Sequence, residues 1–533
     1  MDRRGQLEKC AHLLSAQSTD DEKCAGLLLL PRIVDAHDAE ALSYVFAALD
    51  IRFIERLLRS GVKQQQRTLL YIAVSVISVF AAHASIASDR RMVDRIPSLC
   101  AVASLSASSG DSEGSKNDVS TEAIQALAKL LAHDPAVQAV LDRPDPLVQL
   151  IEAAQQSTDS AQIPQFLDYV LNRCSSLVHA NLGDVSSTAR GWTSVVASAA
   201  ALFSESQELL KFQLLPVLAN ALEPLTAPDA AAIDGEASCK SLVRSIGAGC
   251  VAILKQKSET TTYADQALVL YSHLVRLWPS HVFLGLAAAS LSGSAEGKQA
   301  ELVLRLASVE GQAALDAMMI SPPASETAKD AEEARLRRGW KLPFCAEICA
   351  AWLDWVSQWL DEQPEAAADV NEARIYQLMN EVQALASAAI GFLLDWKERG
   401  ASDLAILQSE PEMVLSIAHF LGLWLATDPK LHEAALPVLP MFSSWITESD
   451  EYGATIADYV RGCMSFALDT CNISETQFVK DLITRELHHG RSRAQKFASP
   501  WVGAIEFDDF ARAVYQIPSD EELLRDRARV SPR

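Results

Sequence analysis

Along most of the chain the apolar positions recur three and four residues apart, the spacing of one face of a helix, and no stretch shows the convincing alternation of a half-buried strand. ELLKFQLLPVLANAL, QALVLYSHLVRLW, KQAELVLRLASVEGQAALDAMM and PFCAEICAAWLDWVSQWLDE each keep this spacing for three turns or more. Ala, Leu, Glu, Gln and Arg dominate, and Asn-Gly or Asp-Gly turns between alternating apolar residues are absent. The predicted class is all-α.

The interruptions are short and polar, at 106–120, 153–162, 223–238, 255–262 and 321–335. The first and last are rich enough in Ser, Gly, Pro and charge to be mobile. A weak internal repeat runs through the helices. Ile96-Pro97-Ser98-Leu99, Ile163-Pro164-Gln165-Phe166, Leu215-Pro216-Val217-Leu218 and Leu436-Pro437-Val438-Leu439 each place a proline where it suits the first turn of a new helix. Two longer units, 71–99 and 416–439, share one grammar: an apolar helix, a polar turn, a short amphipathic helix and a proline-led start. That is the pattern of an armadillo-type repeat. The expectation is an armadillo/HEAT-like α-solenoid, divergent helical repeats forming a superhelix, with about a dozen units of roughly 40 to 47 residues. Several separate helical bundles are the alternative. The expected layout is a partly mobile segment 1–20, solenoid over 21–320, a polar linker at 321–335, solenoid over 336–515 and a mobile tail 516–533.

One stretch raises the question of a membrane. In RTLLYIAVSVISVFAAHASIASDRR (67–91), Thr68 to Ser88 carry no formal charge, and a bilayer-spanning helix needs about 20 such residues. On a helix, however, Tyr71, Ser75, Ser78, Ala82, Ser85 and Ser88 form a weakly polar stripe opposite Leu70, Val74, Ile77 and Phe80. His83 is costly in lipid and tolerable in protein. The spacing favours a helix buried among other helices, with no transmembrane span and peripheral membrane contact left open.

Composition narrows the partners. A net charge of -23 over 533 residues repels phosphate backbones and anionic surfaces, so no nucleic acid is expected. The nearest basic patch is Arg485, Arg491, Arg493 and Lys496, which lacks interleaved aromatics and reads as a solvated loop or helix end. The ten cysteines are scattered without a CxxC pair, mostly in apolar helical contexts, which suits a reducing compartment. The charged opening MDRRGQLEKC offers no secretory or myristoylation signal, and RARVSPR no prenylation box. A cytoplasmic location is expected.

Candidate chemistry is sparse. GSAEGKQ (Gly293 to Gln299) is one residue short of a phosphate loop, has Gln299 where a hydroxyl is needed and follows no strand. Cys345 and Cys349 lie one turn apart without a second ligand pair, and read as buried apolar residues. His488 and His489 point to different helix faces. Asp35, His37, Asp38 and Glu40 are the densest ligand-like cluster, and a helix start explains them more simply, with Asp38 as cap and Glu40 in the first turn. Trp352, Trp355 and Trp359 share a stripe near Trp340, for core packing or a peptide groove. No catalytic, cofactor or metal residue is assigned, and no cofactor is expected. An enzyme assembled from distant groups such as Asp35, His37, Asp38 and His83 is the remaining rival.

The stretch CAGLLLLPRIVDAHDAEALSYVFAALDIRFIERLLRSG (24–61) resembles the neurochondrin family, through Leu27 to Leu30, Arg32, Asp38, Val45, Phe46, Leu49, Phe53, Arg56, Leu57 and Leu58. The likeness continues through VSVISVFAAHASIASDRRMVDRIPSL and returns at 419–442. It implies an armadillo-like cytoplasmic protein without catalytic residues. In animals such proteins act as scaffolds in neurons, in neurite outgrowth and in restraining a calmodulin-dependent kinase, with receptor and endosomal-GTPase partners. Animal members also carry an N-terminal cysteine pair suited to palmitoylation, whereas the first cysteine here is Cys10. The expected function is a non-enzymatic scaffold that binds proteins on its helical surface, its acidic groove preferring basic segments, in signalling or endosome-linked processes. A peripheral membrane trafficking adaptor is the alternative.

Overall fold

The computed structural model describes residues 3–34, 38–105, 119–154, 162–180, 185–206, 209–234, 237–256, 261–287, 294–319, 339–362, 372–399, 403–449 and 452–460. Among them there is helix and no strand. The residues fall into two compact units, Met1–Val282 and Phe283–Arg533. The proposed linker at 321–335, the tail from 516 and the basic and histidine residues between 485 and 496 all lie outside the described residues.

The first unit holds α1 (Arg3–Leu13), α2 (Asp20–Ile33), α3 (Ala39–Ala48), α4 (Ile51–Gln64), α5 (Arg67–Phe80), the short α6 (Ala84–Ala87) and α7 (Arg90–Val93), α8 (Ile96–Ala103), α9 (Val119–Leu131), α10 (Asp134–Asp142) and α11 (Asp145–Ala154). It continues with α12 (Gln162–Ala180), α13 (Val185–Glu205), α14 (Leu209–Leu222), α15 (Ala227–Asp234), α16 (Ala237–Leu254), α17 (Thr261–Leu277) and the start of α18 (Pro279–Ala287). In the second unit follow α19 (Ala295–Met319), α20 (Leu342–Glu362), α21 (Glu372–Glu398), α22 (Asp403–Ser409), α23 (Pro411–Thr427), α24 (His432–Ala435), α25 (Leu439–Glu448) and α26 (Gly453–Val460).

In the first unit the helices stack as two ladders. One runs α5 on α9, α9 on α12, α12 on α14 and α14 on α17; the other runs α8 on α11, α11 on α13 and α13 on α16. Contacts of α8 with α9, α12 with α13 and α16 with α17 join them. The second unit repeats the scheme, with α19 against α20 and α21, α20 on α23 and α23 on α26. Each of these helices is covered by one two to four places further along the chain, which is the packing of an armadillo/HEAT-like α-solenoid. Between the ladders lie Trp192, Phe203, Leu214, Leu218, Ile246 and Leu274, all almost wholly buried and worth about 1.5–3 kcal/mol each. Where polar atoms enter, they bridge helices. Trp192 Nε1 donates to Ser175 Oγ at 2.9 Å, and that hydroxyl donates to the Ala221 carbonyl at 2.8 Å.

A basic side chain of a later helix also closes the open end of an earlier one. Lys129 on α9 reaches the Ser78 hydroxyl at 2.7 Å, Arg173 on α12 the Ala132 carbonyl at 3.2 Å, and Arg276 on α17 the Glu223 carbonyl at 3.1 Å. In the second unit Arg399 reaches the Met319 carbonyl at 2.9 Å. Each puts positive charge at a helix C-terminus, where the dipole favours it.

The apolar stretch at 67–91 does not form one long helix. After Phe80 the chain turns at Ala81 to His83 and continues as α6 and α7 before α8, which carries Pro97 in its first turn. This is the apolar helix, polar turn, short helix and proline-led start read from the pattern. The second such unit holds as well, with α23, a turn of 3₁₀-helix capped by Asp428, α24 and Pro437 ahead of α25. Leu70, Val74, Ile77 and Phe80 are buried within a helix packed on α2, α4 and α9. No single helix among the described residues is long and apolar enough to cross a membrane.

Two expectations need correction. Pro216 does not start a helix; it sits inside α14. Its lost hydrogen bond is outweighed because Leu214, Leu215, Val217 and Leu218 around it are all buried. The break at 223–238 contains α15. There the Asp229 carboxylate accepts from Thr226 N at 2.7 Å and Thr226 Oγ1 at 2.8 Å, fixing the first turn, while Ala230 and Ile233 are buried.

Close approach of helices rests on glycine. A Cβ on Gly191 of α13 would lie 1.8 Å from the Leu141 carbonyl oxygen at the end of α10, and one on Gly422 of α23 would lie 2.0 Å from that of Tyr459 on α26. Gly191→Ala gains about 1 kcal/mol of helix propensity but must force two backbones apart. The net expectation is a loss of about 1–3 kcal/mol, read as a lower urea midpoint.

Candidate interaction surface

Helix α4, IRFIERLLRSGVKQ, separates its residues sharply. Phe53, Ile54, Leu57, Leu58 and Gly61 are buried. Arg52, Arg56, Arg59 and Lys63 are exposed. These four follow the spacing i, i+4, i+7 and i+11, one narrow stripe down the solvent side. Gly61 lets α5 approach, since a Cβ there would meet Leu70 Cδ2 at 2.6 Å. Gln65 ends the helix in the left-handed region with φ 55°, a conformation uncommon outside glycine.

The stripe is only partly neutralised. Arg56 pairs with Asp20 at 2.8 Å and lies 5.4 Å from the Phe53 ring centroid. Arg59 pairs with Glu55 at 2.6 Å. Arg52 and Lys63 form no ion pair among the described residues. Like charges at this spacing cost an isolated helix about 0.2–0.5 kcal/mol per pair, and Arg52 near the N-terminus is opposed by the helix dipole. Helix stability accounts for Lys63, which lies in the last turn, and for Arg59 with its i,i+4 partner Glu55, and leaves Arg52 without such a reason.

Two further arginines, Arg91 and Arg95, are only partly exposed and already engaged. Glu55 holds Arg95 as well as Arg59 and accepts from Ser98 Oγ at 2.9 Å, so both guanidiniums meet at one carboxylate. Arg91 lies over Phe46 at 4.2 Å and grips Asp89 with two bonds of 3.2 Å. The side-chain bond from Arg91 holds the Asp89 carboxyl below its usual range against the effect of burial. Residues 52–95 contain eight Arg and Lys against three Asp and Glu, whereas the whole chain stands at -23. The first hundred residues carry 13 basic and 12 acidic side chains, so the negative charge belongs to the remainder.

Beneath this face sits a buried pair. Lys23 donates to Asp50 at 2.8 Å, the side chains being 6% and 16% exposed. Burial alone would raise the Asp50 carboxyl, but the bond and charge of Lys23, with the Arg52 amide and Arg56, outweigh it and hold it below the usual range.

The candidates named from the sequence sit elsewhere. Asp38 caps α3, accepting from Ala41 N at 3.0 Å, with Glu40 in the first turn; Asp35 and His37 lie outside the described residues. His83 precedes α6 as its N-cap residue. Cys345 and Cys349 are fully buried in α20, and burial, then the neighbouring Cys345, pushes the Cys349 thiol well up. Trp352, Trp355 and Trp359 pack inward, Trp355 stacked on Trp359 at 5.7 Å and lying 5.9 Å from Phe283, while Trp340 is half exposed against Phe344. In 293–299 the described part is the start of α19, where Ser294 Oγ accepts from Gly297 N at 3.0 Å. The basic stripe on α4 is not contiguous in sequence, its members standing three and four positions apart. Counting by helical register between 52 and 63 would have found it.

Glu55→Ala leaves Arg95, 15% exposed, without its carboxylate. A loss on the order of 2–3 kcal/mol is expected, measured by urea unfolding. Asp50 has a folded pKa below its unfolded one, so its contribution is complete above about pH 5 and lost as the pH falls through the carboxylate range. Asp50→Asn lowers stability at neutral pH and flattens the acid limb of a melting-temperature profile against pH.

The neurochondrin family model matches residues 1–470. A neurochondrin homolog of Drosophila melanogaster is 29% identical over 142 residues, covering 25% of this chain and 19% of the fly protein. Among solved structures, Uso1-1 aligns at 11% identity with a TM-score of 0.29 over 98% of this chain and 94% of that one. Kap121p bound to Nup53p aligns at 10% identity with a TM-score of 0.21, over 91% and 65%. Scores so low carry no argument, and the fold rests on the helix ladders themselves. With most of its length matched by the family model, from residue 1 to residue 470, the chain belongs to the neurochondrin family.

Proposed function

We propose that this chain is a non-enzymatic scaffold that binds proteins on the surface of its helical repeats, in signalling or endosome-linked processes. The observation that carries the reading is how the chain uses its polar groups. Asp38, Thr226 with Asp229, Ser294 and the basic helix-end residues serve helix termini, and the buried cysteines among the described residues and the tryptophan stripe of α20 serve the core. What is left for recognition is a long exposed surface built from repeats. The acidic part beyond residue 100 suits basic segments of partners, by charge complementarity. A cytoplasmic setting is supported by eight described cysteines that are free thiols, most of them buried. Membrane docking through the apolar side of 70–87 would require unpacking α5, because that side is already covered.

Proximity labelling with the tagged full-length chain in its native cell, followed by co-purification at moderate salt, tests the proposal. Reproducible protein neighbours that co-purify are expected. A diffuse profile indistinguishable from that of an inert protein of similar size would overturn it.

A further inference from the structure

We propose that the exposed basic face of α4 docks an acidic segment of a partner protein, with Arg52, Arg56, Arg59 and Lys63 as the contact line. This inference rests on the scaffold reading and names one partner chemistry for it, opposite in sign to the basic segments that suit the acidic remainder of the chain. Three observations converge. The four cations occupy one stripe, whose ends, Arg52 and Lys63, form no ion pair among the described residues. Arg56 and Arg59 are held by carboxylates yet remain exposed, 58% and 77% by side chain, so their guanidiniums are oriented and still open to a second acceptor. The stripe opens a stretch of sequence, residues 52–95, with eight basic and three acidic residues in a chain of net charge -23, and the acidic groups beside it in space, Asp20 and Asp50, are themselves engaged with Arg56 and Lys23.

Dimensions choose the occupant. From Arg52 to Lys63 the stripe spans about 16 Å along the helix axis, and it is one side chain wide. A single peptide segment with a few carboxylates matches it. A membrane plane or a nucleic acid would extend well past the stripe, beyond the roughly 10 Å screening length, and meet the negative charge of the remaining chain. Arg is also the better partner for carboxylates, because its guanidinium donates to both carboxylate oxygens in a two-bond fork, and three of the four positions are Arg.

The test uses the full-length chain and a short fluorescent helical peptide carrying four Glu at the spacing of the basic residues of α4, beside its Gln counterpart. Binding is read by anisotropy at low salt. The Glu peptide is expected to bind and the Gln peptide not. Arg52→Glu with Lys63→Glu should weaken binding about tenfold, whereas Lys240→Glu with Lys255→Glu, an equal charge change on exposed positions of and next to α16, should leave it unchanged. If the first variant fails to melt like the parent chain, Arg52→Gln with Lys63→Gln replaces it, with a smaller loss of the same kind. Equal weakening by both charge reversals, binding of the Gln peptide, or binding to phosphatidylserine vesicles without binding to the peptide would each overturn the proposal. Proximity labelling separates the two readings. Neighbours retained in full by the Arg52→Glu, Lys63→Glu chain would overturn the docking face and leave the scaffold standing, whereas no neighbours for the unaltered chain would overturn both.

Discussion

An amphipathic helix of ten to twenty residues cannot hold its own fold in water, because the stripe that makes it amphipathic must be covered by something. Within each unit of this protein the cover is another helix two to four places away in sequence, and the rest of the architecture follows from that constraint. Each covering helix has a stripe of its own left over, so the ladders α5, α9, α12, α14, α17 and α8, α11, α13, α16 keep adding members. Glycine appears where two backbones must meet, at Gly191 and Gly422, and where a side chain of the next helix presses in, as Leu70 does at Gly61. Proline is tolerated even inside α14, because burial on both of its sides outweighs one missing hydrogen bond.

Stacking creates a second problem, the open carbonyls at every helix end. Lys129, Arg173, Arg276 and Arg399 meet it in the same way, each reaching back from a later helix to the end of an earlier one. These contacts join neighbouring repeats by polar bonds as well as by apolar area. They also occupy cations, and this bears on function. A basic residue engaged with a helix end or a buried carboxylate, as Lys23 is with Asp50, has a structural role that suffices to explain it.

Much of this was legible in the sequence. The cap at Asp38, the burial of the α5 stripe and the three-part units at 71–99 and 416–439 follow from local periodicity and from residues whose preferences hold in any context. Where the reading failed, tertiary contacts decided. Pro216 reads as a helix start by local preference and is overruled by the packing of Leu214 and Val217. APDAAAID looks like a loop and becomes α15: Thr226 with Asp229 is a local cap already present in the sequence, and the burial of Ala230 and Ile233 is the tertiary part. The pairs Glu55 with Arg95 and Lys23 with Asp50 join residues 40 and 27 positions apart, and single-sequence periodicity carries no signal for such pairs.

The basic face of α4 differs from these in kind. Its stripe is visible in the sequence once the helix register is known, yet no feature of the fold requires it. Arg52, Arg56, Arg59 and Lys63 repel one another and stand on the solvent side, and of the four Arg56 alone lies over the Phe53 ring beneath the stripe. Asp20 and Glu55 relieve two of the four charges, each through an ion pair more than half exposed on its Arg side, which returns at most about 1 kcal/mol. Only Arg52, at the N-terminal end of the helix and without an ion pair among the described residues, is set against its local electrostatics.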